Sequence, residues 1–318
     1  MQSRTNTQPI RPINKAEALE HRERIEMSEQ PKVIGFIGLG QMGGPMAANI
    51  AKGGAEMICF DKAGTDGRLP SGAKSAANVG EVIQSADTVF LSLPDGPIVN
   101  AVASEIAATT DARTTVVVDL STIGLDAAKS AAATLKEVNM TYVDALVSGG
   151  KSGAVAGTIT LMWGGPKAEL ERHKTIVDSF CGNPFHVGNE PGQGQAVKLL
   201  NNFLSGTAMA ATTEAVLFGQ SQGLDMKTIL DVVNVSTGMN TATRDKFPQQ
   251  VLTEKFAAGF FAELLNKDVQ LYLQNAKNAG TPTRVGSEVA SIWQDCVDQL
   301  EPQSDFTLIY DLTRKNNK

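Results

Sequence analysis

Lys198 and Asn202 stand four residues apart in a segment with helical periodicity, so their side chains share one helix face. Ser205 extends this polar face. In a dry cleft, an ammonium and an amide at this spacing can touch one substrate oxygen, and the ammonium can exchange a proton with an alcohol or a carbonyl oxygen. Desolvation would lower the lysine pKa toward working pH. By spacing alone, however, a solvated lysine beside a structural asparagine is the commoner arrangement.

Three glycines form a second group of residues that could bind a ligand. Gly38, Gly40 and Gly43 fit the pattern G-x-G-x-x-G, between an apolar run at 33–37 and helix-forming residues at 45–52. A dinucleotide-binding fingerprint requires this order of strand, glycine turn and helix. The first glycine makes the tight turn, the second lets the backbone approach a pyrophosphate, and the third lets helix and strand pack closely. A glycine turn without a ligand is the alternative explanation.

Asp61 follows the next apolar run, 56–60, about 20 residues after the glycines, as the fingerprint requires. Its carboxylate can accept hydrogen bonds from a ribose 2′-OH and would repel a 2′-phosphate, which predicts NAD as the preferred cofactor. NADP stays possible, because either Lys62 or Arg68 could turn toward a phosphate.

Apolar β-rich runs alternate with helical segments between residues 33 and 187, which predicts an α/β fold with a doubly wound parallel sheet of the Rossmann type. The predicted strands are 33–37, 56–60, 88–93, 114–120, 140–145, 158–163 and 185–187. The predicted helices are 45–52, 79–86, 98–108, 125–138 and 166–180. Because ligands of open parallel sheets bind at the carboxyl ends of strands, residues 93–94, 121–122 and 148–150 are expected at one ligand-binding edge. A simple turn explains Pro94 equally well.

From residue 192 onward no β-rich run recurs, and helical spacing dominates. The predicted helices of this part are 195–223, 225–234, 262–279 and 285–300. The sequence therefore predicts a flexible tail or leader (1–30), a dinucleotide-binding Rossmann domain (31–191) and an all-helical substrate and oligomerisation domain (192–318). A long helix joins the two domains, and the cleft between them is the expected ligand site.

The composition excludes several classes of function. With 318 residues, a net charge of -6 and a pI of about 5.2, the chain has the size for two domains and no basic surface for nucleic acid. No apolar run reaches the length of a membrane span. The cysteines Cys59, Cys181 and Cys296 have neither metal-ligand nor C-x-x-C spacing, so no metal site is expected. Buried thiols in a reducing cytosol are the simplest interpretation, which predicts a cytoplasmic protein.

Several segments together resemble one family. The chain is similar to the β-hydroxyacid dehydrogenases, the group that includes 3-hydroxyisobutyrate dehydrogenase and tartronate semialdehyde reductase. The matching segments follow the family's order and span almost everything after residue 32. They are GFIGLGQMGGPMAANIAKGG (35–54), SLP (92–94), DLST (119–122), DALVSGGKSGAVAGTITLMWGG (144–165), GQGQAVKLLNN (192–202) and NKDVQLYLQNAKNAG (266–280).

The resemblance assigns roles that spacing alone does not. It implies that Lys198 is the catalytic acid/base and that Asn202 helps to hold the substrate. It implies that a turn of three residues binds the substrate carboxylate, which agrees with the anion-binding N–H groups of glycine turns. That turn consists of Ser148, Gly149 and Gly150. Thr122 is expected near both the substrate and the nicotinamide, and Lys267 is expected to reach the cofactor from the helical domain.

The implied cofactor-binding set combines the fingerprint with the later motifs. Its members are Gly38, Leu39, Gly40, Gln41, Met42, Gly43, Asp61, Leu93, Pro94, Thr122 and Lys267. The chain departs from the family at Leu146, where proline is common, and near Leu125, where proline is frequent. Both departures affect the expected shape of the local loop only. Asp61 stands where the NADPH-using branch has Asn-Arg-Thr.

The long helix is expected to mediate self-association, since it carries more small and apolar residues than one domain face would use. These include Ala208, Met209, Ala210, Ala211, Ala215, Val216 and Leu217. The resemblance points to a homodimer or homotetramer that acts on a small carboxylate substrate.

Three alternatives stay open: an NADP-dependent semialdehyde reductase, an imine reductase and a non-catalytic cofactor-binding relative. Imine reductases usually carry another residue at the lysine position, and a non-catalytic relative would lack the lysine, so Lys198 argues against both. The sequence does not name the substrate. The polar segment 236–244 is expected to determine substrate specificity.

Overall fold

The computed structural model describes residues 31–316, so the predicted tail 1–30 lies outside the described residues. The first part of the fold is an eight-stranded sheet with the order β3-β2-β1-β4-β5-β6-β7-β8. The strands are β1 (Val33–Ile37), β2 (Glu56–Phe60), β3 (Lys74–Ser75), β4 (Thr88–Leu91), β5 (Val116–Asp119), β6 (Thr141–Ser148), β7 (Ile159–Gly164) and β8 (Cys181–Gly188). The helices that cover the sheet are α1 (Gly43–Lys52), α2 (Val79–Ser85), α3 (Gly96–Ala108), α4 (Leu125–Lys136), α5 (Gly150–Ala156), α6 (Lys167–Arg172) and α7 (Lys174–Phe180).

The sheet is buried on both faces, which explains why its central strands are continuous apolar runs. On one face Phe36 and Phe90 stack with ring centroids 6.2 Å apart, in a core that includes Phe180. On the other face Val89 and Val117 belong to a second core under α2, α3 and α4. The predicted Rossmann architecture is confirmed.

One pair of strands differs from the all-parallel prediction. β6 and β7 are antiparallel, while every other neighbouring pair of described strands is parallel. Only residues 149–158 connect β6 to β7, and a parallel crossover needs a dozen or more residues. The chain instead reverses through α5, which ends at Gly157 in a left-handed conformation (φ 69°). Leu146 lies inside β6 opposite Met162, so this position is strand and not loop.

The predicted helix 166–180 is two helices that meet at His173. The His173 ring is fully buried beside Phe90 and Trp163, and its Nε2 lies 2.8 Å from the Thr88 hydroxyl. Anchoring of this side chain beneath the sheet explains the break. β8 is also longer than predicted, and the short edge strand β3 was not predicted because a two-residue pairing leaves no apolar pattern.

The second part of the fold is helical. Its elements are α8 (Gln193–Ser221), α9 (Met226–Val233), a π-helix (Ala242–Val251), α10 (Ala262–Asn278), α11 (Arg284–Gln299), a 3₁₀ turn (Phe306–Leu308) and α12 (Ile309–Asn316). Trp293 forms the centre of this core, and its indole N–H donates to the Gly206 carbonyl at 3.3 Å. A Cβ at Gly206 would lie 2.9 Å from that nitrogen, so the close approach of α11 to α8 requires glycine.

Several features of the helical part were not predicted. The π-helix, the 3₁₀ turn and α12 lie in segments without a clear helical pattern, and the π-helix contains Pro248.

Within residues 31–316, no helix is both long and apolar enough to cross a membrane. The same residues contain no cluster of potential metal ligands, and the three cysteines are free and buried.

Candidate active site

A cleft of about 700 Å³ lies between the carboxyl edge of the sheet and the helical part. Most of the predicted site residues line this one cavity, although they are far apart in sequence. They are Gly40, Gln41, Met42, Gly43, Leu93, Pro94, Thr122, Ser148, Gly149, Gly150, Lys198, Asn202 and Lys267. Gly38, Leu39 and Asp61 do not line the cavity. They determine the shape of the glycine loop, as described below.

The glycine loop fits the roles predicted for a dinucleotide fingerprint. Gly38 has a φ of 97°, and a Cβ there would lie 2.2 Å from the Ser92 carbonyl oxygen. A Cβ at Gly43 would lie 2.0 Å from the Gly38 carbonyl oxygen, whereas one at Gly40 would meet no atom within 4 Å. Gly38 and Gly43 are therefore required by packing, and Gly40 keeps the backbone open toward the cleft.

The backbone donors of this loop are available to an anion. Among residues 31–316, the N–H groups of Gly40, Gln41 and Met42 donate to no protein acceptor. They precede α1, whose N-terminus carries a positive partial charge. Free N–H groups at a helix N-terminus are suited to the pyrophosphate of a dinucleotide.

Asp61 helps to shape the glycine loop. Its Oδ2 accepts a hydrogen bond of 2.7 Å from the Leu39 N–H, and its Oδ1 accepts one of 2.8 Å from Ala63 N–H. The Leu39 amide is therefore already used, and its side chain is buried in the core. Arg68 Nη1 lies 3.3 Å from Asp61 Oδ2, and Arg68 also donates to the Gly64 carbonyl. Asp61, the acid predicted to select NAD, therefore forms an ion pair with Arg68.

The turn after β6 presents backbone donors to the same cleft. Gly149 and Gly150 have φ values of 133° and 65°, which favour glycine. Within the described chain, neither N–H group donates to a protein acceptor. Ser148 is half-buried beside them. The turn therefore has the donors that a carboxylate requires.

Lys198 lies in the second turn of α8 and extends into the cleft. Its Nζ forms no hydrogen bond or ion pair with any residue that the structure describes. Desolvation lowers the pKa of this lysine, the Asp268 carboxylate opposes that shift, and the Lys267 charge adds to it. A lysine with a lowered pKa and a free Nζ can exchange a proton.

Asn202 lies one turn further along α8 and is held by its neighbours. Its Nδ2 donates to Asp268 Oδ2 at 2.6 Å, and its Oδ1 accepts from Asn201 Nδ2 at 3.1 Å. Burial raises the pKa of Asp268, while the charges of Lys267 and Lys198 oppose that shift. The amide of Asn202 is thus oriented and still has one hydrogen for another acceptor.

Lys267 connects the two parts of the fold. Its Nζ donates to the Thr122 carbonyl at 2.8 Å and to the Pro94 carbonyl at 3.4 Å, and lies 3.6 Å from Asp268 Oδ1. Both carbonyls belong to strand ends that were predicted to lie near a cofactor. Lys267 therefore sets the spacing between α10 and the carboxyl edge of the sheet.

Three positioning residues were not assigned from the sequence: Asp144, Gln195 and Asp268. Asp144 is fully buried in β6, and its carboxylate accepts from Gly192 N–H at 3.1 Å and from Gln195 N–H at 2.8 Å. Desolvation raises its pKa to about 7, although these two bonds favour the charged form. The Gln195 side chain accepts from Ile123 and Gly124 and donates to the Ser121 carbonyl.

These contacts bind the first turn of α8 directly to the sheet. Gly194 permits them, because a Cβ there would lie 2.5 Å from the Asp144 carbonyl oxygen. Gly192 and Gly194, at the start of the long helix, could have indicated such a close approach from the sequence. For Asp268 no such signal existed, since an acid next to a lysine on a helix is ordinarily solvated.

Two family models cover the parts on either side of this cleft. Residues 33–188 match the NAD binding domain of 6-phosphogluconate dehydrogenase, and residues 192–313 match the NAD-binding domain of NADP-dependent 3-hydroxyisobutyrate dehydrogenase. The chain is 34% identical to mitochondrial 3-hydroxyisobutyrate dehydrogenase of Drosophila melanogaster, over 89% of this chain and 90% of the relative. The chain belongs to the β-hydroxyacid dehydrogenase family.

Two further relatives show the range of this dehydrogenase family. The 2-(hydroxymethyl)glutarate dehydrogenase of Eubacterium barkeri is 35% identical, over 82% of this chain and 88% of that enzyme. A solved structure of Mycobacterium tuberculosis 3-hydroxyisobutyrate dehydrogenase with L-serine superposes with a TM-score of 0.84 at 30% identity, and covers 89% of this chain and 99% of the other. Membership of this family means that the chain is an NAD(P)-dependent hydroxyacid dehydrogenase, an enzyme that transfers a hydride.

Proposed function

We propose that this dehydrogenase interconverts a small β-hydroxy acid and its semialdehyde with NAD(H), and that Lys198 is the general acid/base. The observation that carries the proposal is the free Nζ of Lys198, which shares one cleft with the glycine loop and with the turn after β6. The free N–H groups of the glycine loop suit a pyrophosphate, and those of the turn after β6 suit a carboxylate. Lys198, which can exchange a proton, lies in the same cavity.

The relatives' names indicate the chemical form of the substrate. 3-Hydroxyisobutyrate, 2-(hydroxymethyl)glutarate and L-serine share the unit HOCH₂–CH(R)–COO⁻ and differ in the group R. In this proposal the carboxylate binds to the N–H groups of Gly149 and Gly150, with Ser148 beside them. The hydroxymethyl group then lies at Lys198.

Each residue has a defined task in the proposed reaction. The bound nicotinamide supplies or accepts the hydride. In oxidation, the neutral amine of Lys198 takes the hydroxyl proton, and in reduction its ammonium returns a proton to the carbonyl oxygen. Desolvation lowers the pKa of Lys198, which favours its neutral amine more than in an exposed lysine. Asn202 donates its remaining amide hydrogen to the same oxygen, while Asp268 fixes its orientation.

A substrate and cofactor screen tests this function. The purified enzyme is assayed by the absorbance of the reduced cofactor with 3-hydroxyisobutyrate, L-serine and 2-(hydroxymethyl)glutarate, each with NAD and with NADP. We expect oxidation of at least one of the three, and none of lactate, because lactate carries its hydroxyl on the carbon next to the carboxylate. Oxidation of lactate, or reduction of a cyclic imine without activity on the three β-hydroxy acids, would contradict the proposal.

We also propose that the enzyme self-associates through one face of α8. Leu204 and Phe218 are 58% and 68% exposed, and Leu200 is also exposed. These side chains and the exposed Ala211 and Ala215 repeat at helical spacing along one stripe. Met209, Ala210 and Val216, which the sequence had grouped with them, are buried inside the subunit instead. An exposed apolar stripe of this length indicates a protein interface.

Light scattering measures this association. We expect a dimer or tetramer for the wild-type enzyme at micromolar concentration, and dissociation in Leu204→Glu, because a charge would be buried in the interface. Val155→Glu is the matched control, since Val155 is also 58% exposed but lies on α5. A monomeric wild-type enzyme, or equal dissociation in both variants, would refute the proposal.

A further inference from the structure

Lys246 is a cation in the cleft that the proposed reaction does not use. It lies on the π-helix and lines the same cavity as Lys198. Among residues 31–316 its ammonium forms no hydrogen bond or ion pair. The side chain is half-buried, so it is partly desolvated without a protein partner to compensate. A polar group in this state is suited to a ligand of opposite charge.

The neighbours of Lys246 hold it in place. Phe247 is fully buried, and its ring packs against Tyr310 with the centroids 5.7 Å apart. Π-helices are rare and frequently occur at functional sites, where the wider turn changes the direction of a side chain. The segment therefore presents Lys246 to the cleft from a packed element.

Phe260 and Phe306 form an apolar wall of the cleft that Lys246 also lines, and the two residues contact each other. Phe260 and Phe306 pack edge to face at 6.0 Å, and the Phe306 N–H donates to the Phe260 carbonyl at 3.0 Å. Asp305 accepts from the Gly259 N–H at 2.9 Å. The aromatic side chains of this wall offer the ammonium no acceptor, although Glu263 and Gln303 line the same cleft.

No acid among residues 31–316 forms an ion pair with Lys246, although Arg244 and, to a smaller extent, Lys246 lower the pKa of Asp245. Asp245, on the same π-helix, forms a two-bond pair with Arg244 at 3.0 and 2.9 Å. Asp268 is bonded to Asn202 and lies beside Lys267. Glu263 lines the cleft but is exposed and forms no ion pair with any described residue. The charge of Lys246 thus remains available in the cavity.

We propose that Lys246 selects β-hydroxy acids whose R group carries a second negative charge, with Lys246 binding that charge while the turn after β6 binds the first carboxylate. This inference rests on the proposed function. The substrate class is a dianionic hydroxymethyl acid, and the wall of Phe260 and Phe306 packs against the methylene groups between its two charges. Lys246 is a specificity-determining residue in this assignment and takes no part in proton transfer.

Steady-state kinetics with two substrates tests the assignment. 3-Hydroxyisobutyrate has a methyl R group, and 2-(hydroxymethyl)glutarate has one that ends in a carboxylate. We expect the wild-type enzyme to prefer the dianion in kcat/KM. Lys246→Met should lower kcat/KM for the dianion by about 10- to 100-fold, mainly through KM, the usual cost of losing a charged hydrogen bond. The value for 3-hydroxyisobutyrate should change by less than about 3-fold.

Two controls separate this role from others. Lys255→Met removes the same charge from an exposed lysine outside the cleft lining and should change neither substrate's kinetics. The NAD dissociation constant, measured by fluorescence, should be equal in wild type and Lys246→Met. An equal loss for both substrates would assign Lys246 to folding or general substrate attraction, and weaker NAD binding would assign it to the cofactor. Either result overturns the inference.

Calorimetry separates failure of this inference from failure of the proposed function. Glutarate and isobutyrate are titrated into the NAD-loaded enzyme, which requires no turnover. We expect glutarate to bind more tightly than isobutyrate in the wild type and to lose this advantage in Lys246→Met. If none of the three hydroxy acids of the screen is oxidised, the proposed function fails, while this measurement still decides whether Lys246 binds the second charge. Equal binding of glutarate by both proteins would refute the inference.

Discussion

Lys198→Ala is expected to lower kcat by about 10²- to 10⁴-fold, the range for loss of a general acid/base. The reason is that Lys198 supplies a free, partly desolvated Nζ in the cleft, and the nearby amide of Asn202 cannot exchange a proton at neutral pH. Steady-state kinetics on the best substrate of the screen measures the effect. NAD affinity should change little, because the free N–H donors of the glycine loop do not involve Lys198.

Two further variants distinguish proton transfer from attraction of the substrate. Lys198→Arg should not restore kcat, since arginine stays protonated. Asn202→Ala should cost less, and mainly in KM. A Lys198→Arg enzyme with most of its kcat would show that the lysine only attracts the carboxylate, and a near-normal kcat in Lys198→Ala would refute the mechanism.

The pH profile provides an independent readout of the same residue. Oxidation requires the neutral amine, so its kcat/KM should rise with pH through the lowered pKa of Lys198 and then reach a plateau. Reduction requires the ammonium and should decrease over the same range. A profile of oxidation that still rises at the ordinary lysine pKa would contradict the desolvated setting of Lys198.

Asp61→Asn is expected to raise kcat/KM with NADP by about 10- to 100-fold relative to NAD, the scale of one charged hydrogen bond. The substitution removes the charge that repels a 2′-phosphate but keeps an oxygen that can accept from the Leu39 N–H. It also releases Arg68, which lies 3.3 Å from the carboxylate in the wild type. Kinetics with both cofactors at a fixed substrate concentration measures the change.

The double variant Asp61→Asn/Arg68→Met is the control for this change in cofactor use. If the released arginine binds the 2′-phosphate, the double variant should lose most of the gain with NADP. Comparable kcat/KM for NAD and NADP in the wild-type enzyme would show that Asp61 does not set the preference, because Arg68 already compensates for its charge.

The sequence predicts the glycine loop and the strands before it because their constraints are local. Gly43 packs against the Gly38 carbonyl within one strand–turn–helix unit, and Gly38 and Gly40 meet the backbone requirements of the same turn, although Gly38 also lies against Ser92. The direction of β7 relative to β6 depends on the length of the connection between the two strands, and apolar periodicity does not reveal that direction. The predicted strands 140–145 and 158–163 left twelve residues for a crossover, whereas the observed β6 extends to Ser148 and leaves only ten, too few for a parallel connection.

The prediction that segment 236–244 determines substrate specificity stays a prediction. None of its residues lines the cleft, and the Asn240 side chain accepts from the N–H groups of Ala242 and Thr243 at the start of the π-helix. Lys246, just beyond the segment, lines the cleft instead. A π-helix has no recognisable hydrophobic period, so the side chain that it directs inward is visible only in three dimensions.

The contact between Asp268 and Asn202 was also beyond sequence reasoning. The two residues are far apart in sequence, and their hydrogen bond of 2.6 Å depends on how α10 packs against α8. Only the resemblance to a known family assigned a role to Lys198, since a lysine on a helix is ordinarily a surface residue.

The anchoring of α8 by Asp144 and Gln195 has a consequence for how the active site can change over evolution or by design. Lys198, the proposed proton-transfer group, lies only three residues beyond Gln195, so these contacts fix its position relative to the sheet, although its helix continues into the helical part. If the helical part moved relative to the sheet, the π-helix that carries Lys246 would move with it, while these contacts would keep Lys198 aligned with the sheet edge. Chimeras that exchange everything after the first turns of α8 should inherit a new substrate range and retain the original catalytic alignment.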